Sequence, residues 1–369
     1  MKKVLILTCS TGEGHNSAAR AIETALKERG IGCELADPVS FQSERMEHLI
    51  ASLYNTTIRK TPKLFGMVYK LGDIYCSAKL PSPVYWANAH YSESLKKYIL
   101  ENGFDTVICT HLYGMEAMTA IRRKGDFPIP CYGILTDYVC IPFIEETELT
   151  GYFVANQEEK DYLIKKGTAA EKIIVSGIPV DSAFRLHPDK ETARRELDIP
   201  ENKKVFLIMT GGIGCENMES LCEKLMDALH EDDLAIVLTG KNDDLKEKLD
   251  KKYAGNPGIR TVSFTRKVAD YMAASDVMLS KPGGLSSTEA AVANIPLVHI
   301  HAIPGCETYN VKFFSAHGLS CAAQNEKEAV AFAQDLAYNP EKAKAMQKQQ
   351  RAYINPDAAG MILREVSCA

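Results

Sequence analysis

Apolar strand-like runs alternate with helical patterns along the whole chain, and both halves open with a strand, a glycine loop and a helix. Together these observations predict an α/β protein made of two facing Rossmann-like domains with a cleft between them. A chain of 369 residues is long enough for two domains of ordinary size, each with its own core. In the first domain, a strand over Lys3–Thr8 runs into Ser10-Thr11-Gly12-Glu13-Gly14-His15 and then a helix. Further strands are expected over Thr106–Thr110, Cys131–Leu135, Gly151–Ala155 and Ile173–Ser176, where short apolar runs are bounded by turn residues. In the second domain, Val205–Met209 runs into Thr210-Gly211-Gly212-Ile213-Gly214 and a helix from about Asn217. Strands at Ala235–Leu238, Ile259–Phe264, Val277–Leu279 and Leu297–Ile300 follow.

The polar stretch from Asp181 to Lys204, with Pro188 and Pro200, reads as a connection. The expected division is therefore a domain over 1–180, a linker over 181–203, a domain over 204–345 and a C-terminal helix over 346–369. A break in the Ala- and Lys-rich tail is expected near Asn355-Pro356, because the residue before proline disfavours helix.

A charged fraction of 25% beside 46% apolar residues is a soluble globular composition. The formal net charge of −5 gives no general attraction to nucleic acid, so none is expected as a partner. The eleven cysteines form no CxxC pair and no His/Cys cluster has zinc spacing, which points to a reducing cytoplasm and no metal site. The apolar run at the start spans only Val4 to Leu7, too short for a secretory segment, and no run approaches the ~20 residues of a membrane span. One segment breaks the α/β rhythm. Between Tyr54 and Tyr91, Arg59, Lys60, Lys63, Phe65, Lys70 and Trp86 mix basic and aromatic character, which suits an anionic membrane surface. The same composition also fits a helical insertion that buries its aromatics and solvates its lysines.

The residues with chemical potential gather at glycine turns. Residues 276–310 read as strand, Lys281-Pro282-Gly283-Gly284 turn, small-residue helix, strand, and a loop with Glu307 and Asn310. Such a unit aims backbone N–H groups and a helix N-terminus at one spot, which suits phosphate. Glu289 and Glu307 flank it, and carboxylates accept hydrogen bonds from sugar hydroxyls. Ser286-x-x-Glu289 is equally a capping-box pattern, and Lys281 reads as a solvated turn lysine. His15, at or just before a helix N-terminus, is favoured in its neutral, proton-accepting form and suits a general base. Asp137, after a strand's carboxyl end, is a second candidate, or else an Asx turn or helix cap. His299 and His301, two apart on a strand, are expected to share one face, without a third metal ligand.

The blocks TCSTGEGHNSAARAI (8–22), ILTDY (134–138), GYFVAN (151–156), VSGIPVD (175–181), MTGGIG (209–214), ASDVMLSKPGGLSSTEA (274–290) and IPGCETYN (303–310) resemble glycosyltransferase family 28. The resemblance is to its monogalactosyldiacylglycerol synthase and processive diacylglycerol glucosyltransferase branch, and it runs over most of the chain. It implies a GT-B fold with an N-terminal acceptor domain and a C-terminal UDP-sugar domain. It further implies inverting, metal-independent hexose transfer from a UDP-sugar to a lipid hydroxyl, with diacylglycerol as the expected acceptor and no cofactor. On the matching positions, His15 would be catalytic, assisted by Asp137, with Gly12, Glu13 and Gly14 around it. Gly211, Gly212, Gly214, Gly283, Gly284 and Ser286 would border the diphosphate, with Phe264 and Thr265 near uracil. Glu289 would hold the ribose, and Glu307 with Asn310 the sugar. The basic-aromatic segment would dock peripherally on the inner face of the cell membrane. Three features depart from many relatives. Ile141 and Ile144 stand where a histidine and a tryptophan follow the TD pair, Cys306 replaces a glutamine, and the first loop reads GEGH. Two other readings fit the residues: a nucleotide-sugar-binding homologue with impaired catalysis, and an enzyme like UDP-N-acetylglucosamine epimerase.

Overall fold

A computed structural model of the chain describes residues 1–9, 13–41, 81–209 and 218–368. It divides into two compact units. The first comprises Met1–Asp181, Pro304–Cys306 and Asp357–Ala369, and the second Ser182–Ile303 and Glu307–Pro356.

The first unit carries strands β1 (Lys3–Leu7), β2 (Gly32–Ala36), β3 (Thr106–Cys109), β4 (Cys131–Ile134), β5 (Gly151–Val154) and β6 (Ile173–Val175). Its helices are α1 (Glu13–Glu28), α2 (Pro83–Ala89), α3 (Ser92–Glu101), α4 (Leu112–Arg123) and α5 (Gln157–Lys166). All six strands are parallel, in the order β2-β1-β3-β4-β5-β6. Both faces of the sheet are covered, so β1 is apolar at every position from Val4 to Leu7, all fully buried. The pleat sorts them: Leu5 and Leu7 pack with Leu95, Ile99 and Met118, while Val4 and Ile6 pack with Ile22 and Leu26 of α1. Burying each such side chain stabilises the sheet by ~1.5–3 kcal/mol. Gly114 in α4 admits a close helix–sheet approach, since a Cβ there would lie 3.0 Å from Leu7 Cβ.

The second unit follows the same plan with β7 (Lys204–Met209), β8 (Asp233–Gly240), β9 (Ile259–Ser263), β10 (Val277–Ser280), β11 (Leu297–His299) and β12 (Cys321–Ala322). They are again parallel, in the order β12-β11-β10-β7-β8-β9. Helices α6 (Lys190–Glu196), α7 (Met218–Ala228), α8 (Asp243–Lys252), α9 (Val268–Ala274), α10 (Gly284–Val292), α11 (Cys306–Ala316), α12 (Glu326–Tyr338) and α13 (Pro340–Tyr353) accompany them. A final helix, α14 (Ala358–Cys368), completes the chain. Two six-stranded doubly wound sheets are the α/β fold expected.

Several boundaries differ from the sequence expectation. Residues 182–203, expected as a linker, are a built part of the second unit. Asp189 caps α6 through Thr192 N at 3.0 Å. Arg194 is buried and bonds the Ala274 carbonyl at 2.9 Å and Asp276 at 2.9 Å. The tail breaks where Asn355-Pro356 was expected to break it, giving two helices, α13 and α14, rather than a single helix over 346–369. The break falls at 354–357, and α14 belongs to the first unit, where Ile362, Leu363 and Val366 join Ile22 and Leu26. Two edge strands were not expected, β2 because it is half-exposed and holds Gly32 and Glu34, and β12 because it has only two residues. Among the described residues no helix is long and apolar enough to cross a membrane.

Candidate active site

In each unit the strand order reverses at one point: between β1 and β3 in the first, and between β7 and β10 in the second. Ligands of open α/β sheets bind outside the carboxyl ends of the strands at such points. His15 lies at the first of them, in the opening turn of α1. Thr8 Oγ1, just past β1, donates to Asn16 Oδ1 at 2.9 Å and ties that turn to the sheet. His15 Nδ1 lies 3.0 Å from the carbonyl oxygen of Thr110, the residue after β3. A carbonyl only accepts, so Nδ1 carries the proton and Nε2 keeps the lone pair. Thr136 Oγ1, beyond β4 and 2.9 Å from Nδ1, shares that proton as a second acceptor. The His111 ring meets His15 edge-on with centroids 4.6 Å apart, and its own Nδ1 accepts from Tyr113 N at 3.2 Å, capping α4. Desolvation outweighs the Thr110 hydrogen bond and lowers the His15 pKa to about 4. Burial, and then His15, hold that of His111 well below the usual range. Both rings are neutral at pH 7, and His15 presents Nε2 as an acceptor for a proton.

Thr136, one residue before the predicted Asp137, supplies the contact to His15, and neither Thr110 nor Thr136 was singled out from the sequence. The signal was available, since both stand one or two residues past a buried parallel strand. Asp137 is half-buried, and its charge adds to burial in raising the nearby Glu159 carboxyl to about 8. Gly14 sits in α1 beside His15, and Glu13 is its first residue. Gly12 lies outside the described residues.

In the second unit, β10 ends at Ser280 and the Lys281-Pro282-Gly283 turn leads into α10. Gly283 is the N-cap and offers no side chain to the first N–H groups of α10. This register excludes the capping box. Ser286 and Glu289 lie inside the helix, on a half-buried stripe with Gly283 at i, i+3 spacing, while Leu285, Ser287 and Thr288 face inward. The space around the Gly283 Cα is open, with no atom within 4 Å of a Cβ placed there. Buried hydrogen bonds fix the helix. Ser287 Oγ meets His299 Nε2 at 2.9 Å, and His299 Nδ1 meets Ser320 Oγ at 3.0 Å. Burial lowers the His299 pKa to about 3, so this ring is a neutral structural link.

Asn310 is fully buried and its amide donates to the Pro282 carbonyl at 2.9 Å. This bond ties α11 to the Lys281-Pro282-Gly283 turn. Glu307, in the first turn of α11, accepts from Ile303 N through Oε2 at 2.8 Å and faces Lys281 Nζ through Oε1 at 3.7 Å. Lys281 is therefore not the solvated turn lysine expected, because the strand before it carries it into the interior, where its side chain is 9% exposed. Phe264, after β9, is 64% exposed, and Thr265 accepts from Lys267 N at 3.0 Å to open α9. His301 does not share a strand face with His299. β11 ends at His299, and His301 turns to a φ of 46° beside a cavity of about 450 Å³ lined by Ile300, Val311, Lys312 and Asn325. Gly211, Gly212 and Gly214 lie outside the described residues, as do Arg59, Lys60, Lys63, Phe65 and Lys70. Trp86 of α2 is described, and is 64% exposed.

Comparison with known proteins matches these two halves separately. Residues 15–180 fit the family model of monogalactosyldiacylglycerol (MGDG) synthase, and residues 150–367 that of UDP-N-acetylglucosamine 2-epimerase. A processive diacylglycerol beta-glucosyltransferase of Bacillus cereus is 27% identical over 98% of this chain and 92% of its own. One from Bacillus anthracis is 26% identical with the same coverage. Among solved structures, Acinetobacter baumannii MurG superposes over 100% of both chains with a TM-score of 0.67 at 15% identity. The S. aureus MnaA–UDP structure covers 99% of this chain and 96% of its own with a TM-score of 0.66 at 14% identity. At that identity the likeness establishes the fold alone, a two-domain GT-B architecture.

Proposed function

The chain belongs to the monogalactosyldiacylglycerol synthase and processive diacylglycerol glucosyltransferase branch of glycosyltransferase family 28, and through residues 150–367 to the UDP-N-acetylglucosamine 2-epimerase family, and from that premise we propose that it moves a hexose from a UDP-sugar to the hydroxyl of diacylglycerol. It is a UDP-sugar-dependent glycosyltransferase. The observation that carries the reading is His15, held as a neutral ring with Nε2 unprotonated at the switch point of the first sheet. His15 Nε2 takes the proton of the acceptor hydroxyl as that oxygen bonds to the anomeric carbon. The bond from that carbon to the β-phosphate oxygen breaks, and UDP leaves from the opposite face with inversion. The N–H groups at the start of α10 receive the charge that grows on the diphosphate, and no metal is required in this scheme. In this reading Glu289, Glu307, Phe264 and the residues Gly211, Gly212 and Gly214 complete the donor site, with the ribose, sugar, uracil and diphosphate in that order. Trp86 and the basic-aromatic segment before it dock the protein on the anionic inner face of the membrane.

Incubation with radiolabelled UDP-glucose, UDP-galactose or UDP-N-acetylglucosamine and liposomes containing diacylglycerol tests this. The expected product is a glycolipid of inverted anomeric configuration, formed equally with and without a chelator. No glycolipid and no UDP release with any donor would overturn the reading. Interconversion of UDP-N-acetylglucosamine without an acceptor would favour the epimerase reading, which the match over 150–367 motivates.

A further inference from the structure

Lys281 has no part in the scheme above, yet it is one of the least accessible cations of the second unit. A lysine is almost never buried without a partner, and this one stands directly after β10, three residues before the first residue of α10. Its ammonium lies 3.7 Å from Glu307 Oε1, beyond the 2.7–2.9 Å typical of a charge-assisted hydrogen bond. The other oxygen, Oε2, is committed to Ile303 N at 2.8 Å, so the carboxylate is fixed while the ammonium is only loosely held by it. Asn310, one helical turn further along α11, bonds Pro282 next to the lysine, so α11 and the turn are joined by a rigid link as well as a loose one.

We propose that Lys281 is the diphosphate-binding cation of the donor site and that Glu307 is its resting partner. Resting on the donor-site reading above, the inference is that a nucleoside diphosphate at the N-terminus of α10 draws the ammonium away from Glu307. The released carboxylate oxygen then accepts from the hydroxyls of the transferred sugar. One movement thereby couples recognition of diphosphate to recognition of sugar. A lone Glu307 would bind sugar hydroxyls whether or not UDP were attached, whereas the pair makes the carboxylate available only with the diphosphate in place.

Isothermal titration with UDP and with uridine, on the wild type, Lys281→Met, Glu307→Gln and the double variant, tests this. Lys281→Met is expected to weaken UDP by tenfold or more, the worth of a hydrogen bond to a charged group, and to leave uridine affinity unchanged. Glu307→Gln, which frees the ammonium, is expected to tighten UDP several-fold, and to have no such effect in the Lys281→Met background. Failure of the wild type to bind UDP would overturn the donor-site reading and this inference with it. UDP bound equally by the wild type and Lys281→Met would overturn the lysine's role alone. Should Lys281→Met not fold, UDP affinity unchanged or weakened in Glu307→Gln overturns the exchange by itself, because that variant keeps the lysine and the shape of the side chain.

Discussion

The strongest demand the structure makes is on the pH dependence of His15. Its ordinary midpoint is 6.5, and in the folded protein desolvation outweighs the Thr110 hydrogen bond and brings it to about 4. That displacement corresponds to ~3 kcal/mol in favour of the neutral ring. At pH 5.5 the ring is then about 97% neutral, where a solvated histidine would be about 9% neutral. The acid limb of kcat/KM, which reports the free enzyme, is therefore expected near pH 4, with activity flat between pH 5.5 and 7.5. The assay is initial-rate transfer from a UDP-sugar to a short-chain diacylglycerol across that range. His15→Gln is the control, with an expected loss of ~10²–10⁴-fold in kcat and little change in UDP binding. An acid limb at pH 6–7 would refute the reasoning, because the ring would then be solvated and its neutrality no property of the site. So would a His15→Gln protein that retains a tenth of the wild-type rate.

Four further outcomes follow from the same geometry. Thr136→Val removes the second acceptor at Nδ1 while leaving Thr110, so kcat is expected to fall roughly fivefold with donor KM unchanged, as measured by steady-state kinetics. Gly283→Ala has room for its methyl and an ordinary backbone, so its melting temperature is expected within a degree or two of wild type. Because that methyl would occupy the space of an approaching phosphate, UDP affinity is expected to drop, by titration, in Gly283→Ala but not for uridine. Asn310→Ala strands the Pro282 carbonyl and is expected to cost ~1–3 kcal/mol in denaturant unfolding and to raise donor KM. Glu116, fully buried in α4, is raised to about 10, first by burial and then by Glu146. The folded state holds a proton that the unfolded chain releases above pH 4.5, so this group's stability contribution is present below that pH and is lost as the pH rises toward 10. Glu116→Gln is accordingly expected to match the wild type below pH 4.5 and to exceed it by ~3–5 kcal/mol at pH 8 in chemical denaturation.

Of the twelve strands among the described residues ten were legible in the sequence, most of them because a parallel strand buried on both faces is apolar at every position, as Val4–Leu7 and Val277–Leu279 are. The two that were not lie at the edges, where that requirement lapses. Gly32–Ala36 is half-exposed and carries a glutamate, and Cys321–Ala322 is too short to show any period. The Lys281-Pro282-Gly283 turn was legible for the same local reason, since a strand, a glycine and a helix start are contiguous there. Contacts made across the sheet were not. Thr110 and Thr136 stand 26 positions apart in sequence and converge on one ring nitrogen only because β3 and β4 are neighbours. The acidic residue after the fourth strand drew the eye by its charge, but at the end of a buried strand the hydroxyl one residue earlier reaches the imidazole. The partners of Lys281 and Asn310 were hidden from the sequence for the same reason. A polar residue beside a Pro-Gly-Gly turn reads as solvated, and an asparagine after a glutamate reads as a ligand. Both readings assume that the turn faces water on its own. Here α11, whose helix start is 25 positions downstream of Lys281, closes over the turn and supplies the partner for each: Glu307 for the lysine, and the helix bearing Asn310 for the Pro282 carbonyl. A donor loop assembled this way depends on a second element that its own sequence does not mention, which is why variants in α11 are expected to alter UDP binding as strongly as variants in the turn itself.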